Sequence, residues 1–164
     1  MSSRLAEKVC IITGAGGTMG REAALTFARE GALVVGCDLH ADDAEATVQA
    51  VRAAAGTMVS LHPCDLTKPS ECQALVDLAV RTFGRIDVLF NNAAMAYFNW
   101  LEDITDEEWD RNRREEVDLV IGVVHDMAFF LLGCGDNTPF LKCPSAVSCK
   151  MALCLRRFGK IARS

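Results

Sequence analysis

The stretch "VCIITGAGGTMG", Val9 to Gly20, joins an apolar run to Gly14, Gly16, Gly17 and Gly20. After a buried strand, such glycines let the backbone turn tightly and approach a ligand closely. A following helix adds unpaired N–H groups and the positive end of its dipole. The chemistry this supports is pyrophosphate binding. A plain strand-to-helix turn would also use one or two glycines, so residues further along must decide its meaning. Asp38 stands 18 residues beyond Gly20, at the expected end of the second apolar run. There a carboxylate accepts hydrogen bonds from both hydroxyls of an adenosine ribose; the bland alternative is a carboxylate capping the next turn. No Arg or Lys stands at Gly17, Leu39 or His40 to receive a 2′-phosphate, and Asp38 would repel one. NAD is therefore expected in preference to NADP.

The elements that must position these residues follow from the hydrophobic pattern. Short β-rich runs occur at Lys8–Thr13, Leu33–Asp38, Thr57–His62 and Ile86–Asn91, and amphipathic alanine-rich stretches at Met19–Glu30, Asp42–Ala55 and Ser70–Phe83. Strand and helix in alternation predict a parallel sheet covered on both faces. Punctuation agrees: Pro69 and Ser70 open one helix, and Gly31, Gly56 and Gly84 each stand just after another. The sequence shows no internal repeat and no low-complexity tract.

Composition bounds the class. With 164 residues, 51% hydrophobic and 24% charged, the chain suits one soluble globular domain with a real core. No apolar stretch reaches the roughly 18 residues of a membrane span, and the N-terminus lacks a signal-peptide pattern, so no membrane partner and a cytoplasmic location are expected. The eight cysteines are scattered through apolar segments without a CxxC pair, which favours reduced, buried thiols over disulfides or metal. His40, His62 and His125 have no partner spacing for a metal or a nucleophilic triad. Residues 1–120 hold 11 basic and 20 acidic side chains, and residues 121–164 hold 6 and 2. The basic "RRFGK" near the end is too short to track a phosphate backbone, so no nucleic-acid partner is expected.

Two later motifs sharpen the reading: "CDLT" at 64–67, expected to close the third strand, and "NNAA" at 91–94, expected to close the fourth. Together with "TGAGGTMG" and Asp38, they resemble the short-chain dehydrogenase/reductase family over about residues 5–120. Its pattern is TGxxxGxG, an Asp after the second strand, D-[VL], then NNAG. The resemblance implies an α/β fold, a Rossmann-like doubly wound parallel sheet with its C-terminal strands incomplete here. It implies that Thr13 braces the sheet, Gly14 and Gly20 shape the phosphate turn, and Met19 packs beside the cofactor. Asp65 and Leu66 would border the adenine, and Asn91, Asn92 and Ala93 would lie along the ribose. Thr18 replaces the middle glycine of TGxxxGxG, leaving Gly16 and Gly17 to relieve the turn, and Ala94 replaces the glycine of NNAG. Weakened rather than abolished NAD binding is expected.

The same resemblance implies an Asn in the helix after NNAG, then a Ser, then Tyr-x-x-x-Lys. Asp118 stands in the asparagine's context within "EEVDLVIGVV". In "SAVSCKMAL" at 145–153, Lys150 takes the lysine's place and Ala146 the tyrosine's, and alanine cannot donate a proton. The stretch before Ser145 offers only Thr138 as a hydroxyl. Tyr97, the only tyrosine, could line a pocket. The chain divides into an NAD-binding Rossmann-like domain at 1–132 and a degenerate C-terminal segment of the same domain at 133–164. A sheet cut short would leave an edge and apolar helix faces uncovered, so self-association, in the simplest case a homo-oligomer, is expected. Two functions remain open: an NAD-dependent oxidoreductase acting on a small-molecule alcohol or carbonyl substrate with an incomplete catalytic set, or a module or fragment that holds a nucleotide without turnover.

Overall fold

The computed structural model describes residues 3–94, 99–100, 102–118 and 122–124. Strands β1 (Val9–Thr13), β2 (Leu33–Cys37), β3 (Thr57–Leu61) and β4 (Val88–Phe90) alternate with helices α1 (Thr18–Arg29), α2 (Ala41–Ala53) and α3 (Pro69–Phe83). A fourth helix, α4 (Asp106–Arg113), continues into a π-helical stretch at Arg114–Asp118. The four strands form one parallel sheet in the order β3-β2-β1-β4, with Ile11 opposite both Val35 and Leu89.

All five residues of β1 are buried, as a central parallel strand covered on both faces requires. Its side chains alternate between two cores. Val9 and Ile11 pack with Val35 and with Leu75, Val76 and Ala79 of α3. Cys10 and Ile12 pack on the opposite face with Ala24 of α1, Val48 and Val51 of α2, and Met58. The sheet is therefore doubly wound, and the fold expectation holds.

The elements match the apolar pattern to within a residue or two at each end, and the differences that touch the motifs have local reasons. Asp38 stands one residue past β2, "CDLT" lies beyond Leu61, in the loop after β3, and "NNAA" lies beyond Phe90, after β4 rather than at its end. Pro63 has no N–H to continue the ladder. β4 begins at Val88 rather than Ile86, because the Asp87 carboxylate accepts the Val9 N–H at 2.9 Å. Helix α4, absent from the periodicity reading, opens with a reciprocal cap: Thr105 Oγ1 accepts from the Glu108 N–H at 3.2 Å, and Glu108 accepts from the Thr105 N–H at 2.9 Å.

Candidate cofactor groove

The carboxyl ends of β1, β2 and β4 open onto one groove of about 640 Å³. That volume lies within the range of small-molecule and cofactor sites. One wall is the turn from β1 into α1. Gly14 adopts φ +67°, a left-handed conformation that suits glycine, and a Cβ there would lie 2.9 Å from the Ala93 Cα. At Gly20 a Cβ would come within 2.0 Å of the Gly14 carbonyl oxygen, so this glycine lets α1 press against its own turn. Gly17 is the N-cap of α1, and no side chain caps it.

The first turn of α1 carries no acidic residue, whereas α2, α3 and α4 carry Asp42 and Asp43, Glu71, and Asp106 to Glu108. The positive end of the α1 dipole is thus left for an external anion. Space around a Cβ at Gly17 is open but for the Gly14 oxygen at 3.6 Å. The turn fits a pyrophosphate in conformation, charge and room.

Asp38 forms the second wall. Its Oδ2 accepts from the Gly16 N–H at 2.8 Å and its Oδ1 from the His40 N–H at 2.9 Å. Each carboxylate oxygen has a second acceptor site. One set of lone pairs thus orients the carboxylate as a cap, and the side chain still lines the groove. Leu39, 56% exposed, and Met19, 74% exposed, stand as apolar flanks. Gly16 lies behind Asp38, where a Cβ would sit 3.0 Å from the carboxyl carbon and 2.8 Å from the Asp43 Cβ.

Asp65 and Leu66 reach the groove from the loop after β3. The Asp65 carboxyl is held below its ordinary value, first by the Thr67 hydroxyl, which donates to Oδ1 at 2.6 Å, and then by the Thr67 N–H and by Lys68. Lys68 bridges Asp65 and Glu71 at 3.2 Å to each, and the Asp65 N–H donates to Glu71. The loop is fixed by its own charges.

Thr13 and Asn92 join β1 to β4 beneath the groove. Fully buried Thr13 accepts through Oγ1 from the N–H groups of Asn92 and Ala93, both at 3.0 Å. The Asn92 amide donates to the carbonyls of Thr13 and Gly14 at 3.1 and 3.2 Å. Thr13 thus braces the sheet. Gly14, Gly17, Thr18, Met19, Asp38, Leu39, Asp65, Leu66, Asn92 and Ala93 line the groove together, while Thr13, Gly16, Gly20 and Asn91 stand behind its surface. Asp118 ends the π-helical stretch. Tyr97, His125, Thr138, Ser145, Ala146 and Lys150 lie outside the described residues.

Three supports are not evident in the sequence. Buried Thr47 lies with its hydroxyl 3.0 Å from the Ala15 and Asp43 carbonyls and accepts from Arg21 Nε at 3.0 Å, tying α1 and α2 to the glycine turn. The Ala15 N–H donates to the Cys37 carbonyl at 2.9 Å, pinning the turn to β2. Arg111 and Glu115, paired at 3.3 Å, bring the α4 end of the molecule to the groove. A polar residue inside a helical pattern gives no sign of inward use, so Thr47 had no visible signal.

A parallel 3-2-1-4 sheet with a glycine turn at its carboxyl edge and an acid after β2 defines a Rossmann-like dinucleotide fold. The short chain dehydrogenase family model matches residues 8–124, and the chain belongs to that family. The 7alpha-hydroxysteroid dehydrogenase of Escherichia coli (strain K12) is 43% identical over 90 residues, covering 55% of this chain and 35% of the relative. The crystal structure of a short chain dehydrogenase from Mycobacterium smegmatis is similar with a TM-score of 0.76 at 31% identity, covering 80% of this chain and 55% of that one. NAD+-bound xylitol dehydrogenase gives a TM-score of 0.74 at 30% identity, covering 80% and 52%. The chain thus spans 35% of that curated relative and about half of these two solved chains. Membership implies a nicotinamide dinucleotide, NAD or NADP, as cofactor. Among the described residues no helix is long and apolar enough to cross a membrane, and no group of three His, Cys, Asp or Glu could hold a metal ion.

Proposed function

We propose that the groove binds NAD and that the chain supplies the cofactor-holding part of an oxidoreductase acting on an alcohol or carbonyl compound. The observation that carries this reading is the Asp38 carboxylate, oriented by the Gly16 and His40 N–H groups beside a groove with no Arg or Lys at 17, 39 or 40. Gly14, Gly17, Thr18 and Met19 would hold the pyrophosphate, Asp38 and Leu39 the adenosine ribose, and Asp65 with Leu66 the adenine. When bound, the nicotinamide supplies or accepts a hydride. Similarity to a hydroxysteroid dehydrogenase and to NAD+-bound xylitol dehydrogenase supports a hydroxyl-bearing substrate and the choice of NAD.

Paired calorimetric titrations test it. NADH is expected to bind at least about tenfold more tightly than NADPH, a difference of about 1.4 kcal/mol, and Asp38→Ala is expected to erase most of that difference. Equal affinities in the unaltered chain, or a preference for NADPH, would contradict the role of Asp38.

A second reading, nucleotide binding without turnover, is favoured by Ala146 standing four residues before Lys150 and by Asp118 in place of asparagine. A positioned acid–base group contributes about 10² to 10⁴ in rate. Turnover with saturating NADH across aldehydes and ketones is therefore expected near background, and remains so in Ala146→Tyr because no serine precedes it in place. Robust turnover by the unaltered chain would overturn this second reading.

A further inference from the structure

Cys37 ends β2, directly before Asp38, and Cys64 directly precedes Asp65; both line the groove. The backbone brings them together, because the Cys64 N–H donates to the Asp38 carbonyl at 2.8 Å. Their side chains belong to one buried core cluster beneath the groove, on the α3 face of the sheet. Two adjoining sulfurs at a cofactor surface have a chemistry that an isolated buried thiol lacks.

We infer that Cys37 and Cys64 form an oxidisable dithiol under the adenosine end of the groove, which a hydroperoxide closes to a disulfide and a bound dinucleotide shields. The Cys37 thiol is pushed well above its ordinary value, first by the hydrogen bond with Cys64 and then by burial. Cys37 is fully enclosed whereas Cys64 keeps a little exposed surface, so Cys64 is the sulfur that meets the peroxide and attacks. The Cys64 thiolate takes the terminal peroxide oxygen; an S–O bond forms, the O–O bond breaks, and the leaving hydroxide or alkoxide takes up a proton. The Cys37 sulfur then attacks the sulfenic sulfur of Cys64. An S–S bond forms, the S–O bond breaks, and hydroxide leaves as water with the Cys37 proton. With hydrogen peroxide, two thiols and one peroxide yield one disulfide and two waters. The bond would pull the residues before Asp38 and Asp65 together and so disturb the two walls that meet the adenosine.

The shielding part rests on the proposed NAD site; the cross-link itself does not. The experiment treats the full-length reduced chain with hydrogen peroxide, with and without saturating NADH, and maps disulfide-linked peptides by fragmentation mass spectrometry. A Cys37–Cys64 link is expected to form before any link to Cys10 or Cys72, and NADH is expected to slow it at least fivefold. In Cys37→Ser, dimedone is expected to trap a sulfenic acid on Cys64. Absence of the Cys37–Cys64 link while other cysteines oxidise would overturn the inference, as would a dimedone adduct at every cysteine except Cys64. An unchanged rate under NADH that calorimetry shows to be bound would overturn the shielding. Failure of NADH to bind at all would instead count against the NAD reading, with the cross-link still decided by the peroxide arm without NADH.

Discussion

At the residue scale, the groove depends on a few polar atoms with more than one duty. Thr13 Oγ1 accepts the N–H groups of Asn92 and Ala93, just past β4, and among the described residues no other group is placed to replace it. Thr13→Val keeps the shape and removes the acceptor, leaving both N–H groups unsatisfied at about 1–3 kcal/mol each when buried. A loss of about 2 kcal/mol in urea denaturation is expected, with unchanged m; an unaltered midpoint would show that the brace is dispensable. Such a residue was legible only through resemblance. Composition and periodicity mark Thr13 as the end of a strand, and nothing in its neighbours announces that its partners lie 79 and 80 residues away. Asp38 was better placed for recognition, because its position after β2 follows from the strand pattern itself.

At the element scale, the contrast between Gly17 and Gly20 separates folding from binding. Gly20→Ala would force a methyl to 2.0 Å from the Gly14 oxygen, so α1 must move, at a cost of about 3 kcal/mol. Gly17→Ala meets only ordinary contact and costs about 1 kcal/mol or less as an N-cap change. The expected pattern is a large drop in melting temperature for Gly20→Ala, against a small drop with about tenfold weaker NADH binding for Gly17→Ala. Equal effects of the two on stability would contradict the close packing of α1 on its turn. The three central helices and four strands were legible because their apolar spacing is strongly periodic and Pro69, Gly31, Gly56 and Gly84 punctuate it. Helix α4 was not, since no residue of it is buried, yet "TDEE" at 105–108 carried a capping-box signal. β3 stops short of its apolar run and β4 starts late in its own because Pro63 and the Asp87 carboxylate intervene in the ladders.

At the scale of the whole molecule, buried ionisable groups set the pH range of stability. Burial by itself would raise the Asp87 carboxyl, but Arg85, the Val9 N–H and Lys8 together hold it below the ordinary 3.8. Its contribution is present in full above 3.8 and is lost as pH falls through its lower folded value. Burial, followed by Asp87, pushes the Cys10 thiol up from 9.0 to about 11, so its contribution holds below 9.0 and is lost as pH rises toward 11. The melting temperature is expected to form a plateau between these limits and to fall on both sides, with Asp87→Asn flattening the acid limb. An acid limb unchanged in Asp87→Asn would contradict this assignment.

The central claim is that one groove at the carboxyl edge of the sheet receives the dinucleotide, and amide hydrogen exchange of the full chain with and without NADH tests it most directly. Protection is expected at residues 14–20, 38–40 and 65–67, with little change at the far ends of α1, α2 and α3. Protection confined to other segments, or none at these three under conditions where NADH is shown to bind, would contradict it.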